Sequence, residues 1–522
     1  MSTAVAGVAL AACVAACALG GLRWLRVAQR EHYLAGSASR FARRWWASGA
    51  LDASLALAGV AGACASVVEP AAACATALVA AAGPLGLGLR GRTAPLAWTR
   101  RLRTAAAALA LAVAIVVGAA AAAGGLAPAV VAAAFCAVLV PVLLDAVLAL
   151  LSPFEERVAA RFVQAAAERV RRVAPTVVAI TGSYGKTTTK GYVAHLLATS
   201  RTVVASPRSF NNRAGLARTV NELLVPGTDV LVAEMGTYGV GEIAALCSWL
   251  PPTISVITAI GPVHLERFKS LDTTLRAKSE ITERAEVSVL NVDDERLAAL
   301  AGRLEGAGRR VVRCSALDSR ADVALVAQDG GAVLYRRGVL VGTAGLPGGG
   351  AVPALSNVAC ALGVAFALGV EDGTALERIA SLPVAANRLE ATTSPSGVTV
   401  LDDTYNSNPA GAALALAALE RVGRPGGRRV VVTPGMVELG PLQASENARF
   451  ATSAGSVATD VVVVGRTNRR ALEKGLATAR ESGLAVTVHR QPTRDAAVAF
   501  VRAELGPGDA VLYENDLPDH YP

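Results

Sequence analysis

A short glycine-containing segment, Thr181–Thr189, carries the residue types that hold phosphate in proteins. It follows a β-branched run, Thr176–Ile180, and precedes a segment of helical composition, Lys190–Leu197. A strand that feeds a glycine turn at the start of a helix gathers backbone N–H groups and the positive end of the helix dipole around one point. Lys186 would then lie against the outer phosphates, and the hydroxyl of Thr187 would bind Mg²⁺.

The phosphate-loop interpretation has one weakness in its spacing. The pattern G-x-x-x-x-G-K-[ST] requires a glycine at the position where Ile180 stands. A generic glycine turn therefore remains an alternative for this segment taken alone.

Two further polar residues follow runs that are typical of buried strands. The run Val230–Glu234 ends in a carboxylate, and ligands gather at the carboxyl ends of strands in parallel sheets. A carboxylate there can complete a Mg²⁺ shell with the loop hydroxyl and substrate phosphates. A helix cap or a salt bridge is an equal alternative for Glu234 alone. His264 follows the run Ile254–Ile260, and a single histidine near a loop is more often structural than a ligand.

Lysine usage points to another chemical position. The chain has 50 lysines and arginines, of which only Lys186, Lys190, Lys269, Lys278 and Lys474 are lysines. Lys278 is one of these few, and an amine can lose its proton where a guanidinium cannot. A neutral lysine can add CO₂ and become a carbamate, which is an anionic metal ligand. A solvated helix lysine is the alternative.

The residues after 151 alternate between strand-like and helical runs, which indicates an α/β fold with a parallel sheet. We expect residues 152–173 to form an arginine-rich amphipathic linker helix, residues 174–384 a central domain that carries the phosphate loop, and residues 385–522 a Rossmann-like domain. A small β insertion is expected over residues 321–350. The strands predicted in the two domains are Thr176–Ile180, Val203–Ala205, Asp229–Ala233, Ile254–Thr258, Ser288–Asn291, Val398–Leu401, Arg429–Thr433, Asp460–Val464 and Ala510–Tyr513.

Residues 1–151 contain apolar runs separated by arginine clusters and predict an all-α transmembrane region. A span needs about 20 apolar residues, and five candidates of about that length occur, at 3–22, 48–68, 71–89, 104–124 and 128–151. The third is interrupted by Pro84 and several glycines, and one pair could form a re-entrant hairpin. The first run could instead be a signal peptide, but it lacks a basic n-region.

Charge predicts the orientation of these spans and removes one class of partner. Eleven arginines lie in the loops after the first and third spans, within 23–44 and 90–103, and positive loops stay on the cytoplasmic side. The N-terminus would therefore face out and the residues after 151 would lie in the cytoplasm, anchored to the cell membrane. These arginines exceed the net charge of +9, so no nucleic-acid partner is needed to explain it. The eight cysteines include no CxxC pair, which favours neither a zinc site nor a disulfide framework.

A series of motifs in fixed order runs through the second part of the chain. They are TGSYGKTTT, SFNNRAG, AEMGTYGVGEI, GPVHLERF, RAKSEI, LNVDD, NRLE, DDTYNSNP and GMVELG. This series resembles the Mur ligases, ATP-dependent amide-forming enzymes of peptidoglycan synthesis, over residues 174–515. DDTYNSNP and GMVELG are most similar to the MurF branch, which adds D-alanyl-D-alanine to a UDP-muramoyl tripeptide.

The resemblance implies ATP and two Mg²⁺ ions as cofactors, and a role for each matching residue. The nucleotide-binding residues would be Gly182, Ser183, Gly185, Lys186, Thr187, Thr188, Asn291, Asn357, Arg388, Asp403, Tyr405 and Asn406. The magnesium ligands would be Thr187, Glu234, His264 and a carbamylated Lys278. The catalytic residues would be Lys186, His264, Lys278 and Asn212, the last lying with Asn211 near the γ-phosphate and the substrate.

Four departures from the MurF pattern bear on the substrate. A membrane region stands where MurF carries the domain that holds the UDP end of its substrate. The helix start H-N-x-x-N appears as Ser356–Cys360, and Val432–Pro434 replaces the residues before GMVELG. Residues 512–522 replace a glycine-rich, basic ending, and this tail is expected to be either a lid or substrate contact or disordered.

The sequence thus predicts a membrane-anchored, MurF-like ligase that joins a cell-envelope carboxylate to an amino acid or dipeptide through an acyl phosphate. The strict MurF reaction is less favoured because of the first departure. A poly-γ-glutamate-type ligase, another Mur relative acting on a non-UDP substrate, and an inactive membrane scaffold remain alternatives. A MurT-type enzyme would carry a four-cysteine zinc insertion, and a transport ATPase would carry an ABC-type signature; neither is present.

Overall fold

The computed structural model of the chain describes residues 3–89, 96–207, 210–328, 331–346, 354–383, 390–404, 407–517 and 520–522. They form two units. The helical unit comprises Met1–Val158 and Leu517–Pro522, and the α/β unit comprises Ala159–Asp516. The last six residues group with the helical unit, although the sequence placed them in the C-terminal domain; the predicted domain boundaries stay a prediction.

Six helices build the N-terminal region. They are α1 (Thr3–Arg30), α2 (Ser37–Trp46), α3 (Ala50–Ala65), α4 (Ala72–Ala82), α5 (Arg100–Gly124) and α6 (Leu126–Val173). By length and composition, α1, α5 and α6 can cross a membrane, and a fourth span results if α2 and α3, which meet at a bend of 117°, count as one.

The expectation of about five spans is therefore too high for the described residues. The predicted spans over 48–68 and 71–89 are helices of only 16 and 11 residues, α3 and α4. At 1.5 Å per residue, helices of these lengths are shorter than the roughly 30 Å hydrocarbon core. Pro84 follows α4 closely, and proline restricts the residue before it and supplies no N–H for a continuing helix.

Polar side chains inside the helical unit form hydrogen bonds with backbone N–H and C=O groups at helix ends. The carboxylate of Asp145 accepts hydrogen bonds from the backbone N–H groups of Ala38 (3.1 Å) and Ser39 (2.8 Å) at the start of α2. The guanidinium of Arg23 donates to the carbonyls of Ala81 (2.6 Å) and Gly83 (3.0 Å) at the end of α4. Unpaired backbone groups are costly in apolar surroundings, so these two charged residues stabilise the helix ends.

The second half of α6, which covers the predicted linker helix, enters the α/β unit. Arg169 donates from its guanidinium to the carbonyls of Asn221 (2.8 Å) and Leu224 (2.7 Å). Val163 and Val170 of the same helix are buried in the core beneath the first sheet. The helix is thus packed into the α/β unit rather than solvated on all sides.

A nine-stranded sheet forms the first part of the α/β unit, in the order β2-β3-β1-β4-β5-β6-β7-β8-β9. Its strands are β1 (Thr176–Thr181), β2 (Val203–Ala205), β3 (Val230–Glu234), β4 (Ile254–Ile257), β5 (Val287–Asn291), β6 (Arg310–Ser315), β7 (Val323–Gln328), β8 (Gly331–Arg336) and β9 (Val339–Gly345). Pairs up to β6–β7 are parallel. Strands β7, β8 and β9 lie in the region of the predicted β insertion and pair antiparallel.

Helices cover both faces of this sheet. They are α7 (Lys186–Leu197), α8 (Arg213–Leu223), α9 (Glu242–Trp249), α10 (Leu265–Phe268), α11 (Leu271–Ser279), α12 (Glu295–Gly306), α13 (Leu355–Ala367) and α14 (Asp372–Ile379), with a 3₁₀ turn at Glu280–Thr282. In β1, Val178 and Ile180 pack into one core and Val177 and Ala179 into the other. Burial on both faces explains why these strands are continuously apolar rather than alternating.

A six-stranded sheet forms the second part, in the order β10-β11-β15-β12-β13-β14. Its strands are β10 (Glu390–Thr393), β11 (Thr399–Asp403), β12 (Arg429–Thr433), β13 (Asp460–Val464), β14 (Thr487–Gln491) and β15 (Ala510–Glu514). Its helices are α15 (Pro409–Val422), α16 (Gln443–Val457), α17 (Arg469–Glu481) and α18 (Arg494–Glu504), with a 3₁₀ turn at Gly440–Leu442. The last strand lies in the middle of the sheet, so Glu514 is paired with Asp403.

Candidate functional site

The turn between β1 and α7 is built so that only glycine fits at two of its positions. Gly182 has φ 153° and Gly185 has φ 84°. A Cβ atom at Gly182 would lie 2.0 Å from Thr258 Oγ1, and one at Gly185 would lie 2.3 Å from Asn357 Oδ1. The loop backbone therefore passes directly against the end of β4 and the start of α13 before it opens α7, the arrangement that binds phosphate.

Hydrogen bonds fix this loop to the segment after β4. The backbone N–H of Ser183 donates to the carbonyl of Ala259 at 2.8 Å. The Ser183 hydroxyl accepts from the Gly261 N–H at 2.9 Å and donates to the Gly261 carbonyl at 3.1 Å. Thr258 Oγ1 donates to the carbonyl of Tyr184 at 2.5 Å. The loop is thus held in one shape by its own side chains.

The predicted nucleotide-binding side chains of this region occupy different places around the loop. Lys186 begins α7, and its Nζ folds back onto the Gly182 carbonyl at 2.8 Å. Asn291, at the end of β5, donates from Nδ2 to the Thr258 carbonyl at 2.9 Å and so holds the segment that follows β4. Asn357 contacts the loop from α13. The structure therefore brings Lys186 and Asn357 to the loop itself and Asn291 to its support.

Glu234, at the end of β3, is the centre of a buried polar cluster. Its carboxylate accepts hydrogen bonds from Thr187 Oγ1 at 2.9 Å, Lys190 Nζ at 3.0 Å and Asn211 Nδ2 at 3.2 Å. The residue is only 3% exposed. Register explains the meeting, because Glu234 pairs with Ile180, the last residue before the loop turns.

The charges around Glu234 keep it ionised in spite of its burial. Burial alone would raise the pKa of this carboxyl, but the ammonium groups of Lys190 and Lys186 lower it below its ordinary value. A buried carboxylate beside a hydroxyl oxygen is a pair of hard donors, which Mg²⁺ prefers. The salt-bridge alternative raised for Glu234 is also real, since Lys190 and Glu234 form a buried ion pair.

Lys278 lies on α11 with 3% of its surface exposed. Burial, reinforced by the charge of Lys186, lowers the pKa of the Lys278 amine well below its ordinary value. Within the described part of the chain, no group accepts a hydrogen bond from this amine. Lys278 is therefore a buried amine that prefers to be neutral, and the solvated-lysine alternative is wrong.

His264 precedes α10 in a left-handed conformation, with φ 59°. Its Nδ1 contacts Glu438 Oε2, a carboxylate of the GMVELG segment in the C-terminal domain. The ring also packs edge-on against Tyr238 at 4.8 Å, and the Arg267 guanidinium lies 4.3 Å over the Tyr238 ring. No group of three or more histidine, cysteine, aspartate or glutamate side chains forms a metal site among the described residues. The structure thus unites His264 with Glu438 rather than with Glu234 in a donor cluster.

Asn212 acts as a helix cap in the structure. It is exposed, and its Oδ1 accepts from the Gly215 N–H at 2.9 Å at the start of α8. Its neighbour Asn211 reaches Glu234 and also accepts the Gly236 N–H at 2.7 Å through its carbonyl. Of the two asparagines, Asn211 is the one that joins the polar cluster.

The C-terminal domain contributes a second buried acidic group. Asp403 is 8% exposed at the end of β11. Next to it, burial raises the pKa of the Glu514 carboxyl to about 7, and the Asp403 charge adds to the increase. The Glu514 oxygens accept hydrogen bonds from the hydroxyls of Ser407 and Thr433, the latter at 3.0 Å. The predicted nucleotide-binding residues Arg388, Tyr405 and Asn406 lie outside the described residues.

Comparison with known proteins accounts for this arrangement. Residues 180–365 match the Mur ligase middle domain, and residues 387–513 match the Mur ligase glutamate ligase domain. The UDP-N-acetylmuramoyl-tripeptide--D-alanyl-D-alanine ligase of Mycobacterium leprae is 35% identical over 368 residues, which cover 65% of this chain and 70% of the relative. The enzyme of that name from Mycobacterium tuberculosis is 35% identical over 375 residues, with coverage of 65% and 69%.

The chain belongs to the Mur ligase family. The crystal structure of MurF ligase from Thermotoga maritima in complex with ADP shares 26% identity with it, at a TM-score of 0.57, over 69% of this chain and 80% of the other. A MurF from Acinetobacter baumannii shares the fold at a TM-score of 0.58 and 23% identity, over 68% and 77% of the two chains. The predicted α/β fold and the resemblance to MurF are thereby confirmed.

As a Mur ligase, the protein is an ATP-dependent carbon–nitrogen ligase that uses ATP and Mg²⁺. The residues of the site are suited to bind both ATP and Mg²⁺. The rigid glycine loop with Lys186 suits a triphosphate, and the Thr187 hydroxyl beside the Glu234 carboxylate offers oxygen donors to a cation. Two oxygen donors are enough, because Mg²⁺ usually completes its shell with water and substrate phosphates.

Three residues of the site were missed at the level of sequence. Lys190 shares the signal that singled out Lys278, because it is one of the five lysines and lies one helical turn after Lys186. Glu438 and Glu514 belong to segments that were noticed, but nothing in local spacing marks which carboxylate turns inward. Their positions depend on contacts with His264 and with Ser407 and Thr433.

Proposed function

We propose that this Mur ligase is a membrane-anchored enzyme of the MurF type that joins a carboxylate of a cell-envelope precursor to the amine of an amino acid or dipeptide. The observation that carries the proposal is the combination of a rigid phosphate loop, the Thr187–Glu234 pair and the buried amine of Lys278. The Lys186 charge acts on both Glu234 and Lys278, which links the three features electrostatically.

The reaction that this site supports has two steps. An oxygen of the substrate carboxylate attacks the γ-phosphorus of ATP, the bond to the β,γ-bridging oxygen breaks, and ADP leaves with an acyl phosphate formed. The amine nitrogen then attacks the acyl carbon, phosphate leaves, and the nitrogen releases a proton. Two anions must meet in the first step, so Lys186 reduces their repulsion. Mg²⁺ held by Thr187 and Glu234 would neutralise phosphate charge.

Lys278 is proposed to carry a carbamate. A neutral amine adds CO₂ and releases one proton, which converts it into an anionic group with two oxygen donors. The depressed pKa of Lys278 supports this step, because an ammonium cannot add CO₂. The carbamate would also provide a negative partner for Lys186, whose charge now acts against a buried amine.

Replacement of Lys278 tests this role. Lys278→Ala should abolish ligation, and short carboxylic acids such as acetate should restore part of it by filling the vacated space with a carboxylate. In ¹³CO₂-equilibrated protein, a carbamate carbon signal should be present in the wild type and absent in the variant. Lys474→Ala, which removes an exposed lysine of α17, should change neither result. Wild-type activity in Lys278→Ala would contradict the proposal.

His264 is proposed as a further metal ligand whose ring is oriented by Glu438. Metal-binding histidines commonly donate their other ring N–H to a carboxylate, which fixes the tautomer and the ring plane. The contact between His264 Nδ1 and Glu438 leaves Nε2 available as the acceptor atom. Because Glu438 belongs to the C-terminal domain, this ligand would be in place only when the two domains are in contact.

The remaining residues of the predicted nucleotide site are part of the same proposal. Thr188 lies in α7 directly after the loop, Asn357 contacts the loop from α13, and Asn291 and Asp403 end β5 and β11. These four residues are proposed to bind the nucleotide. For Asn212 we propose a structural role, because its side chain caps α8. Arg388, Tyr405 and Asn406 are carried by the family resemblance alone.

The helical unit supports the location at the membrane. Three of its helices, or four spans if the bent pair counts as one, are long and apolar enough to cross it. We propose that the basic loops face the cytoplasm, where ATP is available, and that the acceptor is a lipid-linked or polymeric cell-envelope carboxylate. A second candidate is the UDP-linked tripeptide named for the relatives, which the 35% identity to them favours.

An acceptor assay separates these candidates. The full-length protein in detergent micelles would be given ATP, Mg²⁺ and D-alanyl-D-alanine with either a UDP-linked or a polyprenyl-linked muramoyl tripeptide. Phosphate release and product mass would be followed, with Lys186→Ala as the inactive control. Amide formation on the lipid-linked acceptor alone would support the first candidate, and formation on the UDP-linked acceptor alone the second. A folded protein that turns over ATP with neither, nor with other acids, would favour an inactive scaffold.

A further inference from the structure

The C-terminal end of the chain packs into the helical unit, not into the α/β unit that it follows. Leu517–Pro522 group with Met1–Val158, while the α/β unit ends at Asp516. His520 is 4% exposed and Tyr521 is 8% exposed. Specific contacts of His520 and Tyr521 account for this burial.

Four residues, Glu31, Phe41, Arg44 and Trp45, form the surface that receives these two residues, and we name it the tail groove. It lies at the turn after α1 and along α2. The indole Nε1–H of Trp45 donates to the His520 carbonyl at 2.9 Å. The acceptor of this bond is a backbone carbonyl, so the bond fixes the position of the tail along the groove without depending on the tail's side chains.

Side chains of the tail add polar and aromatic contacts in the same groove. His520 Nε2 lies 3.2 Å from Glu31 Oε1, and both side chains are about nine-tenths or more buried. The Phe41 ring lies 4.7 Å from the His520 ring and 5.1 Å, edge-on, from the Tyr521 ring. The Arg44 guanidinium stacks 4.9 Å over Tyr521. Aromatic and cation–π contacts of this kind stabilise a bound segment beyond simple burial.

The chain is also fixed where it leaves the α/β unit. Asn515 Nδ2 donates to the Gly435 carbonyl at 2.6 Å. Asp516 forms an ion pair of 2.6 Å with Arg494 of α18. Asp516 and His520, four positions apart in sequence, are thus each held by specific contacts.

We propose that the tail groove is a docking site for the chain's own segment Leu517–Pro522. This segment follows the α/β unit in sequence, yet His520 and Tyr521 are held by residues near the N-terminus. The occupant of the groove is therefore the same chain and not a second copy of it.

Site-specific photo-crosslinking tests where the tail docks and in which chain. The full-length protein in detergent micelles would carry p-benzoylphenylalanine in place of Tyr521, which keeps an aromatic ring in the groove. Crosslinks within a single chain to residues 37–46 are expected. Protein without the crosslinker, irradiated in the same way, serves as the control. Crosslinks that join two chains, or none to residues 37–46, would overturn the proposal.

Hydrogen exchange at the Trp45 indole tests how firmly the tail is held. In ¹⁵N-tryptophan-labelled protein, removal of His520–Pro522 should accelerate exchange of the Trp45 Nε1–H by roughly tenfold or more, since its acceptor and cover are lost. Trp46 follows on the same helix and serves as an internal control whose exchange should stay unchanged. Trp45→Phe and Trp46→Phe assign the two signals. Equal exchange at Trp45 with and without the tail would show that it is not docked, and would leave the proposed ligase function untouched.

Discussion

Replacement of Glu514 by glutamine should remove a pH dependence from the stability of the C-terminal domain. Glu514 is fully buried at the end of β15, between the hydroxyls of Ser407 and Thr433. Burial and the neighbouring Asp403 charge raise the pKa of its carboxyl from 4.5 to about 7. Glutamine has the same shape and can keep both hydroxyl contacts, but it does not titrate.

The sign and size of the effect follow from proton linkage. The folded protein holds the Glu514 proton at pH values where the unfolded chain has already lost it, so the contribution is fully present below the unfolded pKa of 4.5 and is lost as pH rises through about 7. The loss amounts to about 3 kcal/mol, since each pKa unit corresponds to roughly 1.4 kcal/mol. Below about pH 4.5 the wild type should therefore match Glu514→Gln, and above about pH 7.5 it should be less stable than the variant.

Hydrogen exchange of the β15 amides measures this quantity in the full-length protein. The free energy of opening at Ala510–Glu514 would be compared at about pH 4.5 and about pH 7.5, after correction for the intrinsic pH dependence of exchange. Wild-type values should fall by about 3 kcal/mol relative to Glu514→Gln. Glu481→Gln, which removes an exposed carboxylate of α17, should behave as the wild type does. A difference between wild type and Glu514→Gln that stays constant with pH would refute the reasoning.

Two further substitutions separate the metal site from its surroundings. Glu438→Gln should lower the apparent Mg²⁺ affinity, measured through ATP turnover, by roughly tenfold to a hundredfold, because histidine ligands depend on the carboxylates that orient them. Glu446→Gln, on α16 of the same domain, is the control. Equal Mg²⁺ titrations of Glu438→Gln and the wild type would count against His264 as a ligand. Asn212→Ala should lower the free energy of unfolding by about 1 kcal/mol because the α8 cap is lost, and it should leave ATP affinity unchanged. A loss of ATP turnover without a loss of stability would instead support the predicted catalytic role of Asn212.

Local sequence determined the phosphate loop, the strand alternation and the family. A turn between a β-branched run and a helix needs backbone conformations that glycine adopts readily, so the glycines mark it in the sequence. Gly182 and Gly185 do adopt φ values that other residues avoid. The apolar runs became strands buried on both faces. The rarity of lysine pointed to Lys278, which is buried on α11; its role as a carbamylated ligand stays a prediction.

Local sequence was less informative about lengths and partners in the membrane region. Composition alone marked 48–68 and 71–89 as spans, yet the helices there stop after 16 and 11 residues. Hydropathy records how apolar a segment is, but where a helix ends depends on turns such as the one before Pro84. The same limit applies to Asn212, because a side chain next to a helix start can cap it whatever motif it belongs to.

Only the tertiary structure decided which distant groups meet. Lys190 neutralises Glu234, His264 contacts a carboxylate 174 residues away, and His520 lies in a groove formed by residues near the N-terminus. Periodicity and motif spacing describe neighbours along the chain within one element. Strand order, sheet register and the packing of one element on another set these contacts, and no local pattern encodes them.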